Sequence, residues 1–139
     1  MDCQSSWVIY IIECNICRLQ YIGKSETGFN LRLNNHRNHI KKGANSCELT
    51  EHFLHNINSH NFENDVTITV IEQIRIDHFA IDWNKKLLRN RKMFWQRMLN
   101  STQPNGLNKR TGKSFTKPFT KFWVQKMFIT YVVTDVKTL

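Results

Sequence analysis

The chain has 139 residues, room for one compact domain with an appendage. Apolar residues make up 40% of it and are spread along its length, which excludes disorder over most of the chain, and no apolar run is long enough to cross a bilayer. The net charge of +9 favours a polyanionic partner: residues 1–83 carry seven basic and ten acidic side chains, whereas residues 84–100 carry six basic and none acidic. Met1 is followed by Asp2 and Cys3, not by a basic stretch and an apolar core, so the expected setting is intracellular and reducing.

Residues 7–12, Trp-Val-Ile-Tyr-Ile-Ile, are β-branched and aromatic with almost no polar break, which predicts a central strand buried on both faces. After the short connection of residues 14–18, Leu19 to Gly23 read as the returning strand of a hairpin, with Gly23 ending it. From Thr27, the spacing of Phe29, Leu31, Leu33, His36 and Ile40 fits a helix in part, stopped at Gly43, with Arg32, Arg37, Lys41 and Lys42 exposed. Glu48 to His55 form a short helix with Leu49 and Phe53 inward, and Val66 to Ile71 form a third strand. A long basic helix follows, traced by Trp83, Leu88, Arg91, Phe94, Trp95 and Leu99, with Asp82 as its cap and the turn residues 103–106 as its stop. The expected fold is α+β: a small three-stranded, mainly antiparallel sheet flanked by helices over residues 1–108. Residues 109–139 form a basic aromatic appendage, in which Phe122, Trp123 and Phe128 either stack on bases or mark a missing partner.

Tyr10 and Tyr21 face each other on the hairpin, and aromatic pairs on neighbouring strands usually just pack. Arg32 and His36 add chemistry, because a spacing of four puts them on one helical face, where a guanidinium holds a phosphate oxygen and an imidazole moves a proton. Cys14 and Cys17 have the spacing of two thiolates on one tetrahedral ion, and His52 with His60 would supply imidazoles. His39, His55, Cys3 and Cys47 compete as ligands, and a plain reduced pair is the blander reading. Lys24, Arg37, Lys85, Lys86, Arg89 and Arg91 are candidates for holding a nucleic-acid backbone, against the reading that they only solvate a basic face.

Val8-Ile9-Tyr10, Tyr21-Ile22-Gly23, the Leu31–His36 stretch and Pro104-Asn105-Gly106-Leu107-Asn108 together resemble the GIY-YIG nuclease family over residues 7–108. With Cys14, Cys17, His52 and His60 added, the chain is most similar to the endonuclease domain of Penelope-like retroelements. The resemblance implies that Tyr10, Tyr21 and His36 help activate water, that Arg32 stabilises charge on the phosphate, and that Asn108 closes the active site. It further implies Mg²⁺ or Mn²⁺ for catalysis and a structural Zn²⁺ that pins the hairpin tip to the second helix. The sequence departs from the family twice: Val8 stands where the first motif has glycine, and Lys92 stands where a glutamate would hold the catalytic metal. A protonated ammonium has no lone pair to offer a cation.

The expected function is therefore a DNA endonuclease that nicks a target strand for target-primed reverse transcription, impaired by Lys92. The element's reverse transcriptase and RNA would be further partners, with no membrane involved and the nucleus as the setting. The alternatives are a catalytically inactive nucleic-acid-binding module and a zinc-stapled protein-interaction module.

Overall fold

A computed structural model describes residue 2, residues 4–109 and residues 134–135 of the chain. Three long strands form the sheet: β1 (Val8–Cys14), β2 (Gln20–Ser25) and β3 (Val66–Gln73). Three helices flank them: α1 (Phe29–Lys41), α2 (Glu48–His55) and α3 (Ile81–Met98). A two-residue strand, β4 (Thr134–Asp135), pairs with Thr69 and Val70 and is an addition to the expected three-stranded sheet. Phe122, Trp123 and Phe128, expected in the appendage, lie outside the described residues. The strand order is β2-β1-β3-β4, with every pairing antiparallel.

The unbroken apolar run of β1 is explained by its central place. Val8, Tyr10, Ile12 and Cys14 enter one core with Phe29 and Leu33 of α1 and Leu49 and Phe53 of α2. Ile9 points to a second core, where Ile22, Ile71, Leu88, Phe94 and Trp95 meet under α3. Alternate side chains of one strand thus hold two helical layers, as the two-residue period of a strand demands.

Gly23 does not end β2. Lys24 and Ser25 continue the ladder opposite Ile9 and Val8, and Gly23 lies opposite Tyr10. In α1, Phe29, Leu33 and His36 are buried along one helical stripe. Asn84, buried one turn into α3, clasps the preceding loop by accepting from Asp77 N at 3.0 Å and donating to Asp77 O at 2.7 Å. Asp82, expected as the cap of α3, sits inside its first turn, and Ala80 occupies the cap position.

A β-bulge shapes the other layer. Ile9 pairs with Glu72 and Tyr10 with Val70, so Ile71 is an extra residue in β3. Strict alternation from Val70 would send Glu72 to the α1 and α2 side, and the extra residue turns it to α3 instead. There the Glu72 carboxylate accepts from Arg91 Nε at 2.8 and 2.9 Å and from Trp95 Nε1 at 2.6 Å. Residues 101–108 return along β2, whose outer edge they cover. Leu107 N donates to Gln20 O, and the Asn108 amide bonds both backbone groups of Ile22. Among the described residues no helix is long and apolar enough to cross a membrane.

Candidate active site

Tyr10 and Tyr21 are diagonal rather than opposed, because Tyr21 pairs with Ile12. Their ring centroids are 6.4 Å apart, and both rings meet His36 at close to 6 Å. The Tyr10 hydroxyl lies 2.9 Å from His36 Nε2, and Arg32 Nε donates to the same oxygen at 3.4 Å. Burial, aided by the charges of Arg32 and His39, pushes the His36 pKa down to about 3, so the ring is neutral at ordinary pH. Neutral Nε2 then accepts the Tyr10 proton, which leaves the His36 proton on Nδ1, facing Cys47 Sγ at 3.9 Å. Burial likewise raises Tyr10 to about 12, although Arg32 opposes the shift. Tyr10 is 0% exposed, so its hydroxyl keeps its proton and does not reach solvent water. Arg32, expected to be exposed, is instead half-buried over this pair.

Above the buried trio opens a pocket of about 310 Å³ built by β2, the turn after it, α1 and α3. Tyr21, Lys24, Arg32 and Lys92 line it, together with Glu26 and Asn35. Lys92 reaches in from α3 with its Nζ 5.8 Å from the Tyr21 ring centroid. Burial depresses the Lys92 pKa; Glu48 raises it, and Lys24 and Arg32 add to the depression. Tyr21 is held protonated, mainly by burial.

Three cationic side chains, Lys24, Arg32 and Lys92, therefore line this pocket. Glu26, the one acid lining it among the described residues, has its Oε1 3.8 Å from Lys24 Nζ. This donor set does not fit a divalent cation, since the cations outnumber the single carboxylate. Glu72 cannot move in, because Arg91 and Trp95 hold it in the opposite core. Asp82 is exposed and ten residues before Lys92, about 15 Å along the helix.

Other expected site residues fall elsewhere. Asn108 is 1% exposed and spends its amide on Ile22 and on Ser101 Oγ, so it acts through the β2 backbone instead of closing the pocket directly. Arg91 is turned inward onto Glu72 and over the Phe94 ring, a correction to its place among the backbone-binding cations. Arg37 pairs with Glu63 at 3.2 Å and lines a separate pocket with Phe53 and Phe62. Lys85, Lys86 and Arg89 are exposed along α3. Sequence reasoning missed Asn35 and Glu26 as lining residues and read Cys47 only as a spare thiol. Asn35 was legible as the residue one turn after Arg32, whereas Glu26 carried no local signal.

The cysteines and histidines meet at the far end of the hairpin. Cys14, His52 and His60 each bring a ligand atom within 4.8 Å of the others, and Cys17 Sγ lies 3.5 Å from His52 Nε2. The two imidazoles stack with centroids 5.1 Å apart. His60 Nδ1 is buried without a hydrogen-bond partner, as suits an atom that ligates an ion. Burial and then His60 lower the His52 pKa, which favours the neutral ligand form. Ligand atoms around tetrahedral zinc stand about 3.5 Å apart, so small side-chain adjustments close the set. Cys14, His52 and His60 could thus hold an ion such as Zn²⁺, with Cys17 beside His52.

Comparison with known proteins adds one finding: the model of the GIY-YIG catalytic domain matches residues 6–108. The searches of curated proteins and of solved structures each return no match.

Proposed function

The chain belongs to the GIY-YIG family of nuclease domains, whose substrate is nucleic acid, and we propose that it grips a DNA backbone while metal-dependent cleavage is lost or strongly reduced. Lys92 is the observation that carries this reading. It occupies the pocket beside Arg32 and Tyr21, where a cation attracts phosphate directly and repels the divalent metal that the family uses. Arg32 and Lys24 supply further charge to the same phosphate, and exposed Lys85, Lys86 and Arg89 extend the positive surface along α3.

The grouping of Cys14, Cys17, His52 and His60 supports a more specific setting: the endonuclease segment of a Penelope-like retroelement, acting in the nucleus beside that element's reverse transcriptase and RNA. Zinc belongs to the same proposal, as the clamp between hairpin tip and α2. In that setting an active relative would nick the target strand, and this chain keeps the docking half of the task.

Binding of a labelled duplex, followed by anisotropy across a salt series, tests the grip. Affinity is expected to fall steeply with salt, and Lys92→Ala or Arg32→Ala each to reduce the salt slope by about 1. Salt-independent binding, or slopes untouched by both changes, would sink the proposal.

A further inference from the structure

Lys92 differs from every other described lysine. Lys24 faces Glu26, Lys109 pairs with Glu51, and Lys41, Lys42, Lys85 and Lys86 are exposed. Lys92 alone among the described residues is a lysine neither exposed nor ion-paired, and its amine ends in a pocket that already holds Arg32. We propose that Lys92 is a Schiff-base nucleophile for the aldehyde of an abasic site in DNA, so that the pocket cuts the strand by β-elimination without a metal. This rests on the nucleic-acid reading above and goes beyond it.

The surroundings supply what that chemistry needs. A lysine attacks a carbonyl only as the free amine, and desolvation together with neighbouring cations enlarges the fraction in that form, while the protonated fraction is the one that attracts phosphate. Both influences act on Lys92: burial lowers its pKa most, Glu48 opposes the shift, and Lys24 and Arg32 add to the lowering. The pocket, about 310 Å³, is at the small end of ligand sites and suits one sugar-phosphate without a base. Tyr21 offers a ring wall, and Arg32 and Lys24 offer charge to the flanking phosphate.

In the reaction, Lys92 Nζ forms a bond to C1′ of the ring-opened sugar and the carbonyl oxygen leaves as water, giving a protonated imine. Glu26, the acid lining the pocket, takes the C2′ proton. That electron pair forms the C2′–C3′ double bond, and the C3′–O bond breaks with its electrons on the departing phosphate, whose charge Arg32 and Lys24 stabilise. Water then hydrolyses the imine, returning the free amine and leaving an unsaturated aldehyde on one strand end and a 5′ phosphate on the other. The cycle consumes no other reactant.

Incubating the full chain with a duplex carrying one abasic site and cyanoborohydride, without added divalent metal, reduces any imine to a stable amine. A covalent protein–DNA adduct is expected, mapped by peptide mass spectrometry to Lys92 and lost in Lys92→Arg, which keeps a cation but forms no imine. Mapping on the unaltered chain keeps the test valid if the variant misfolds. An adduct on another amine, or no adduct while intact duplex still binds, overturns the inference and leaves the binding proposal standing. Failure to bind either duplex, with no adduct, overturns both.

Discussion

A Cβ added at Gly23 would stand 2.2 Å from Cζ of Tyr10, so the second motif's glycine exists to let the first motif's tyrosine lie across β2. Gly23→Ala is expected to destabilise the fold by about 1–3 kcal/mol through overpacking, read as a lower urea midpoint. An unchanged midpoint would mean that the ring moves aside freely. His36 makes a second residue-level case. Its folded pKa is depressed to about 3 from 6.5, so between those values the unfolded chain takes up a proton that the folded chain refuses. Stability should fall as pH drops through that window, at up to about 1.4 kcal/mol per pH unit from this group. Melting temperatures measured against pH should show that slope, and His36→Asn should flatten it. Tyrosine, arginine and histidine could be read from the sequence as types at suitable spacing. Which of them would be buried could not, because the depth of Tyr10 depends on Phe29, His36 and Gly23 closing over it from two other elements.

At the scale of elements, Asn108 does the work of a missing neighbour strand. Its amide accepts from Ile22 N and donates to Ile22 O, shielding an edge that would otherwise be open. Asn108→Ala is expected to cost about 2–3 kcal/mol, because buried backbone groups lose their partners. Hydrogen exchange at the Ile22 amide should accelerate in the same variant, and unaltered exchange would refute this role. The strands and helices themselves were largely legible, since β1 has no polar break; the spacing in α1 fitted a helix only in part, and Leu31, read with its apolar set, is exposed. The extra residue Ile71 was not legible: it is one β-branched residue among several, and only the pairing with β1 makes it a bulge. Its consequence, Glu72 facing Arg91 and Trp95, removed one basic residue from the expected binding face. The start of α3 also eluded the sequence, because the clasp between Asn84 and Asp77, not a capping Asp82, anchors it.

Across the whole molecule, two centres sit at different ends of the β1–β2 hairpin. Cys14, Cys17, His52 and His60 gather where the tip meets α2, and the pocket of Arg32 and Lys92 lies towards the end of β2. Removing zinc with a chelator is expected to lower the melting temperature, and a Cys14→Ser, Cys17→Ser variant to be insensitive to the chelator. A melting temperature indifferent to chelation in both proteins would contradict a structural metal there. Sequence spacing made the Cys/His set legible because each motif carries its own register. It also marked Lys92, although the crowding of Lys24, Arg32 and Lys92 around one pocket needed the packing of α3 against β2. The most direct measurement is nicking of supercoiled DNA with Mg²⁺ or Mn²⁺, comparing the unaltered chain with Lys92→Glu. The variant should nick in a metal-dependent way and the unaltered chain should not gain activity from metal; equal or faster metal-dependent nicking by the unaltered chain would contradict the role assigned to Lys92.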